Sequence, residues 1–303
     1  MISCQAIAAE LRLGHPWTIR SFDEVGSTMT EISRAAEEGA PPFTVAVAES
    51  QTAGTGRHDR PWASAAGDGL WMTALLRPSL PADRAPWFTL GAAVAVADGL
   101  LSLGFPVGIK WPNDVLVADG PLFRRKLCGI RAEMAVAEDG SLAWVSIGIG
   151  LNVHQAAFEG ELASVAASLR MVAAAGGVEG AGDCAVSGEH SGAAFGNVAT
   201  AGRCGAAGAG GAAGEPSRAQ CAGAILNRLE RVDRFFAEEG FGPVRSRWLD
   251  LALGLNREAT VRDIEGEQIG IVRGMDEEGH LLLERPGDDA PFPIVAGDLV
   301  FAV

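Results

Sequence analysis

Hydrophobic and polar positions alternate along the chain in short runs that read as strands. Thr44–Glu49, Gly69–Leu76, Val107–Lys110, Lys126–Val136 and Leu142–Ile149 are rich in β-prone apolar residues. Between the second and third runs, Pro86 opens an apolar stretch with a 3.6-residue period that continues to Leu103. Proline suits the first turn of a helix, where an N–H would have no partner. Glu138-Asp139-Gly140-Ser141 separates the last two runs and carries the Asp-Gly pair of a hairpin turn. Mixed strands with segregated helices predict an α+β fold, a mixed β-sheet with helices packed on one face, rather than a doubly wound sheet.

The second half changes character twice. Residues 173–217 are dominated by Gly and Ala and contain no Lys. Such a stretch has too little branched apolar surface to offset its ordering entropy, so it reads as a flexible insertion. A 3.6-residue period returns over Gln220–Glu239, with Ile225, Leu226, Leu229, Val232, Phe235 and Phe236 on its apolar face, and Pro243–Leu253 reads as another helix. From Asn256, short β runs follow at even spacing: Ala259–Arg262, Gln268–Met275, His280–Glu284 and Phe292–Val303. Glu265-Gly266-Glu267 and Asp276-Glu277-Glu278-Gly279 supply turns between them. This is the pattern of a small β-barrel. The chain thus divides into a unit over 16–254, carrying the insertion, and a barrel over 256–303.

Composition narrows the function. Twenty-four Lys plus Arg against 38 Asp plus Glu leave a net charge of −14. General nucleic-acid binding needs clustered cations and is disfavoured. The five cysteines are odd in number and form no CxxC pair, which argues against a disulfide framework or a structural zinc site. The first twenty residues lack the build of a signal peptide, and the apolar stretch Leu90–Leu103 is too short for a membrane span and carries Asp98. A cytoplasmic protein is expected.

Four segments could carry chemistry. Glu49–Trp62 (ESQTAGTGRHDRPW) follows a strand and combines Gly54 and Gly56 with Arg57 and Arg60. Glycines let backbone N–H groups approach a phosphate, and arginine offers paired donors to phosphate or carboxylate, although a surface loop with two solvated arginines fits the spacing equally well. The loop is neither a P-loop nor a dinucleotide fingerprint. Lys110-Trp-Pro-Asn-Asp114 places an ammonium, an amide and a carboxylate in one turn, and Asn-Asp is also ordinary turn chemistry. Lys126 opens an otherwise apolar strand, where a solvated edge lysine is the plain alternative. Gly148 and Gly150 in Ser146–Asn152 indicate either a bulge or close approach by another group.

Taken in this order, the segments resemble the biotin protein ligases. Gln51–Trp62 resembles the family's Gly-Arg-Gly-Arg-Arg-Gly-Arg-x-Trp signature, and Lys110-Trp-Pro-Asn-Asp114 matches its second signature. Arg125-Lys-Leu-Cys-Gly-Ile130 resembles its Arg-Lys-Leu-Ala-Gly-Ile strand and Gly148–Val153 its Gly-x-Gly-x-Asn-Val strand. Ser27-Thr28 falls at its Ser-Thr-Asn. The resemblance implies a biotin/lipoate ligase-like domain followed by an SH3-like barrel. It also implies ATP-dependent formation of biotinyl-5′-adenylate, with Mg²⁺ on the phosphates, and transfer of the biotinyl group to a lysine of a biotin carboxyl carrier domain of a carboxylase.

By similarity, Arg57, Lys126, Lys110 and Asp114 carry the chemistry. Ser27, Thr28, Met29, Gln51, Gly54, Thr55, Gly56 and Gly129 would join Arg57 and Lys126 around biotin. Arg60, Trp62, Asn113 and Asn152 would serve the nucleotide with Arg57 and Lys110; no metal ligand is assigned. Three departures stand out. Thr55 replaces the usual Arg, His58-Asp59 replaces Arg-Gly, and Met29 replaces the Asn of Ser-Thr-Asn. They open the alternative of a catalytically weakened biotin-binding relative. Lipoate and octanoate ligases of the same fold are the other rival; they would be expected to carry an Arg-Arg-x-x-Gly-Gly-Gly loop and a Tyr-His pair, and this chain has no Tyr. No helix-turn-helix fits ahead of residue 20, so the resemblance implies the single-function form, without DNA binding, and pairing of copies as a homodimer.

Overall fold

Every side chain of Gly69–Leu76 is buried, on both faces of the strand, so the sheet that contains it must be covered on both sides. The computed structural model describes residues 2–12, 14, 16–176, 214–263 and 266–301. Among them, seven strands form one sheet: β1 (Thr18–Val25), β2 (Thr44–Gln51), β3 (Gly69–Leu76), β4 (Val107–Lys110), β5 (Asp114–Val117), β6 (Lys126–Val136) and β7 (Leu142–Asn152). Their spatial order is β1-β2-β3-β7-β6-β5-β4. Only β1 and β2 run parallel, joined by the crossover helix α2 (Thr28–Glu37), which follows the short α1 (Cys4–Ala8).

The long helices α3 (Pro86–Leu101) and α6 (Arg218–Glu238) cover one face, packing Val94, Ala97, Ile225 and Leu229 over Val45, Val47, Leu70 and Met72. Both helices are expected, but α3 is buried nearly all round rather than along one 3.6-residue stripe, because it lies against the sheet, α6 and the helix over Gly242–Leu251. The opposite face carries α2, whose Ile32, Ala35 and Ala36 meet Ala46, Leu75 and Trp144, so helices lie on both faces of the mixed sheet rather than on one. Helix α2 and strands β1 and β5 are absent from the sequence reading. Strand β1 is an edge with mostly exposed side chains, so it lacks an apolar run, and β5 is four residues that follow directly on the Lys110–Asp114 turn.

After α4 (Leu162–Val165) and α5 (Leu169–Ala174), the low-complexity segment falls mostly outside the described residues, over 177–213. Of the 173–217 segment, the described ends are ordered: α5 runs into its start, and Glu215 near its end pairs with His154 Nδ1 at 2.5 Å and Arg170 Nε at 2.9 Å. Cys4, Cys128 and Cys221 are free thiols. Burial pushes the Cys221 thiol up to about 12 and raises Cys128 as well, so neither is a nucleophile at neutral pH. Cys184, Cys204 and Glu265 lie outside the described residues. Among the described residues no helix is long and apolar enough to cross a membrane.

Helix α7 (Gly242–Leu251) leads into a second sheet of five antiparallel strands, β8 (Glu258–Asp263), β9 (Gly266–Met275), β10 (Leu281–Glu284), β11 (Phe292–Ile294) and β12 (Asp298–Phe301), ordered β11-β10-β9-β8-β12. Such a sheet is consistent with the SH3-like barrel. The single run expected over Phe292–Val303 is two strands at opposite edges. Pro293 has no N–H to donate and sits in an edge strand, and Gly297 turns the chain with φ 151°, where a Cβ would lie 2.7 Å from Val261 Cγ1. The second sheet packs on α3 and α7. Trp87 Nε1 donates to the Glu278 carbonyl at 3.1 Å, Trp87 stacks on Phe241 at 5.1 Å, and Arg245 Nε donates to the Met275 carbonyl at 2.9 Å. This packing brings the start of β12 up to the loop that follows β2.

Candidate active site

The turn Trp111-Pro112-Asn113 folds β4 back on β5, so Lys110 and Asp114 face each other across the ladder, and Asp114 in turn pairs with Gly129 of β6. Lys126, at the first position of β6, reaches the same carboxylate. Its Nζ lies 2.7 Å from Asp114 Oδ1, and Lys110 Nζ lies 3.1 Å from Oδ2. Burial alone would raise the Asp114 carboxyl, but the charge of Lys126, then that of Lys110, with hydrogen bonds from both, outweighs it and holds the group below the ordinary aspartate range. Lys126 is thus not a solvated edge lysine. Two ammonium groups are fixed side by side on one buried carboxylate.

The loop between β2 and β3 lies above this pair. Trp62 N–H donates to the Gly54 carbonyl and Gly56 N–H to the Arg60 carbonyl, both at 2.9 Å, which closes residues 54–62 into a narrow hairpin. At its tip His58 and Asp59 both adopt φ 54°, the left-handed region that costs a non-glycine residue on the order of 1 kcal/mol. Trp62 then folds back onto the sheet, over Gly129 and Gly150, which are register partners on β6 and β7. A Cβ at Gly150 would lie 2.6 Å from the indole Nε1, and one at Gly129 would lie 2.9 Å from Cζ3. The strand glycines therefore accommodate a tryptophan ring, and Lys126 Nζ stands 5.2 Å from that ring's centroid. Gly150→Ala is expected to lift the indole off the strands, costing about 1–3 kcal/mol as an overpacked core would. Thermal unfolding and the emission maximum of the tryptophans check it.

Arg57 is held from three sides. Its Nη1 donates to Asn113 Oδ1 at 3.3 Å, to the Gly297 carbonyl at 3.2 Å and to Asp298 Oδ1 at 3.1 Å. Arg60 Nη2 approaches Asp298 Oδ2 at 3.4 Å. Through Asn113, Arg57 is joined to the Lys110–Asp114–Lys126 cluster, and through Asp298 to the second sheet.

A polar network extends from the same site to the start of α2. Ser27 caps the helix by accepting the Met29 N–H. Thr28 N–H and Oγ1 donate to Gln51 Oε1 at 2.8 and 3.1 Å, Thr28 Oγ1 meets Thr73 Oγ1 at 2.8 Å, and Gln51 Nε2 donates to Ser64 Oγ at 2.9 Å. Met29 Cε would touch a Cβ at Gly148. A Cβ at Gly54 would lie 2.9 Å from Ser64 Oγ, so the loop passes directly over this network.

The structure therefore brings Ser27, Thr28, Met29, Gln51, Gly54, Thr55, Gly56, Arg57, Arg60, Trp62, Lys110, Asn113, Asp114, Lys126 and Gly129 to one side of the sheet and the loop above it. Asn152 meets this group at the backbone of Lys126, whose carbonyl its Nδ2 approaches at 3.5 Å. Its Nδ2 donates to the Ala167 carbonyl at 3.1 Å and its Oδ1 accepts from Gln155 Nε2, so its amide braces residues 152–167. Four residues escape the sequence reading. Thr73 and Ser64 are ordinary polar residues in local context, and Asp298 lies 241 residues from Arg57. Arg131 had a local signal: Gly129, Arg131 and Glu133 alternate with buried Cys128 and Ile130 along β6. A cleft of about 360 Å³ opens beside Arg57 and Arg131, bounded by Trp111, Pro112 and Val295. Among the described residues, the carboxylates of the site are already engaged, Asp114 by two lysines and Asp298 by Arg57 and Arg60. They do not form a ready cation site. Asp276, Glu278 and His280, which could gather around an ion, lie at the β9–β10 turn, where Asp276 Oδ1 accepts the Glu278 and His280 N–H groups.

Comparison with known proteins places this geometry. Residues 23–152 match the biotin/lipoate A/B protein ligase family. The chain is 35% identical over 266 residues to the bifunctional ligase/repressor BirA of Bacillus subtilis, covering 86% of this chain and 68% of that protein. The chain belongs to the biotin protein ligase family. The biotin--[acetyl-CoA-carboxylase] ligase of Paracoccus denitrificans is 30% identical over 252 residues, covering 82% of this chain and 86% of that one. The biotin protein ligase of Aquifex aeolicus, solved with biotin and ATP, shares the fold with a TM-score of 0.65 at 24% identity, over 93% of this chain and 97% of that one. In this biotin protein ligase fold, the glycine-arginine loop and the Lys-Trp-Pro-Asn-Asp turn sit next to each other, although 48 residues separate Trp62 from Lys110 in sequence.

Proposed function

We propose that this biotin protein ligase family member joins biotin to ATP, forming biotinyl-5′-adenylate, and passes the biotinyl group to a lysine of a biotin carboxyl carrier domain. The observation that carries the proposal is the fixed group of three cations, Arg57, Lys110 and Lys126, tied together through Asn113 and Asp114 beside a strand floor. In the first step a carboxylate oxygen of biotin attacks the α-phosphorus of ATP, the bond to the bridging oxygen of the β-phosphate breaks, and pyrophosphate leaves. Both reactants are anions, so catalysis rests on placement and charge compensation. Lys126 compensates the carboxylate as its charge moves onto the acyl phosphate. Arg57 and Lys110 compensate the phosphates, with Arg60 and Asn113 beside them. In the second step the carrier's amine attacks the acyl carbonyl and AMP departs with the electron pair of the broken C–O bond.

The Thr28–Gln51–Ser64 network supplies fixed donors and acceptors for the polar end of biotin, and Ser27, Met29, Gly54, Thr55, Gly56 and Gly129 complete its surroundings in this reading. Trp62 provides an aromatic wall, while Asn152 supports the site through the Lys126 carbonyl and through the segment it braces. The engaged carboxylates do not fit a pre-built Mg²⁺ site, so the cation would be carried by the nucleotide's phosphates. Residues 16–254 would act as the catalytic unit and 256–303 as the barrel that secures Arg57. Cytoplasmic residence, a homodimeric state and an absence of DNA binding belong to the same proposal, the last supported by the net charge of −14.

The test is pyrophosphate release with biotin and ATP, followed by labelling of a purified carrier domain. Release with octanoate or lipoate in place of biotin would move the assignment to those ligases, and biotin binding without release would mark a weakened relative. Arg57→Gly is expected to let the adenylate escape and acylate bystander lysines, because the donor between Asn113 and Asp298 is gone. Carrier labelling without stray biotinylation, read by streptavidin blot of added albumin, would count against that role.

A further inference from the structure

Arg131 is the one side chain of β6 that ties the strand floor to the tip of the loop. Its Nη1 donates to the Gly56 carbonyl at 2.8 Å and to Thr55 Oγ1 at 3.1 Å, and lies 3.2 Å from Asp59 Oδ1. Its Nη2 pairs with Glu133 Oε1 at 3.0 Å, which fixes the plane of the guanidinium along the strand. These partners span the strained segment, since Asp59 holds φ 54°, and they flank Arg57 on both sides. The Asp59 carboxylate is largely exposed, so that ion pair contributes little by itself. The bond to the Gly56 carbonyl is part-buried and sets where residue 57 begins, while the bond to the Thr55 hydroxyl is exposed.

Two of the three loop partners are positions at which the loop departs from the family signature. Thr55 stands in place of an arginine, and its hydroxyl now accepts from one. Asp59 stands in place of a glycine and gives that arginine a counter-ion. The Thr55 hydroxyl lies 3.1 Å from the Arg131 guanidinium, so residue 55 and Arg131 share one place at the hairpin tip. We propose that Arg131 is a positioning residue that takes over, from the strand, the work of a loop arginine at position 55. It holds the hairpin tip down so that Arg57 faces the adenylate. The charge of Arg131 is shared between Asp59 and Glu133, which suits an anchor better than a direct ligand of phosphate. The inference rests on the ligase reading given above.

The experiment has a ligand-free arm and an adenylate arm. In the free protein, Arg131→Leu is expected to expose the loop, with trypsin cutting after Arg57 roughly ten times faster while the unfolding temperature stays within a few degrees of wild type; Arg60 is shielded by Pro61. With biotin and ATP supplied, release of biotinyl-adenylate is expected to accelerate about 10- to 100-fold, the range for losing hydrogen bonds to a charged group. Returning a guanidinium to the loop, in Thr55→Arg/Arg131→Leu, should slow release at least tenfold relative to Arg131→Leu. A merely structural role would not produce that reversal. Arg131→Lys keeps the charge without the fork and serves if the leucine variant does not fold; its cleavage and release are expected between the two. Wild-type cleavage in both single variants, or a double variant that releases as fast as Arg131→Leu, would overturn the proposal. A wild-type protein that makes no adenylate would instead sink the ligase reading, and the trypsin comparison would still decide whether Arg131 anchors the loop.

Discussion

Lys126→Ala is expected to weaken biotin binding by about 10- to 100-fold while leaving ATP binding alone nearly unchanged. The range follows from losing a hydrogen bond between an ammonium and a carboxylate, roughly 1.5–3 kcal/mol. Lysine suits this place because a compact charge can follow a carboxylate whose electrons shift as it attacks phosphorus. The structure adds a second consequence. Lys126 Nζ is 2.7 Å from Asp114, so the substitution also strips a buried carboxylate of its nearer partner and leaves it to Lys110 at 3.1 Å. A drop of about 1–2 kcal/mol in stability should accompany the binding defect, tempered because the lysine reaches solvent. Calorimetric titration with biotin separates the two effects. Unchanged biotin affinity with lowered stability would leave Lys126 as a partner of Asp114 and nothing more.

Asp114→Asn should be the most destabilising single change in the site. It leaves two lysines without their shared counter-ion, and removing one member of a buried ionic group costs about 3–5 kcal/mol. Partial exposure of both ammonium groups reduces the expectation here to about 2–4 kcal/mol. The same residue sets an acid limit. Its folded carboxyl sits below its unfolded value of about 3.9, so the unfolded chain binds the proton first as pH falls. The contribution of Asp114 is therefore complete above about pH 4 and is lost progressively below it. Unfolding temperatures measured from pH 3 to 7 should show a shallower acid limb in Asp114→Asn than in the wild type. Parallel limbs would mean that other carboxylates govern the acid response.

The elements that the sequence reveals are those whose burial is written into local periodicity. Gly69–Leu76, Val107–Lys110 and Lys126–Val136 occur with the boundaries expected: Gly69–Leu76 is buried on both faces and apolar throughout, the first half of Lys126–Val136 alternates buried and more open positions, and a hairpin turn advertises itself in Asp139-Gly140. Helix α6 follows from its 3.6-residue period, and α3 from Pro86 and the length of its apolar stretch, since it is buried nearly all round and shows no apolar stripe. Strand β1 escapes because an edge strand can be polar, whereas α2 did carry a local signal, a Ser27 cap followed by Met29, Ile32, Ala35 and Ala36 at helical spacing.

Within the site the division follows the same physics. The sequence by itself determined the Lys110-Trp-Pro-Asn-Asp114 turn, the glycine-arginine loop and the strand glycines, because each is a local constraint of turn chemistry, backbone reach or close approach. Tertiary structure decided what those groups touch. Folding turned Lys126 from an apparent edge lysine into the nearer partner of Asp114, used Gly129 and Gly150 to seat Trp62, and diverted the Asn152 amide to the Ala167 carbonyl. It also brought Asp298 and Arg131 to the loop. Charge pairing acts through space with no regard for separation along the chain, and only the packing of the second sheet on α3 and α7 carries Asp298 across 241 residues to Arg57.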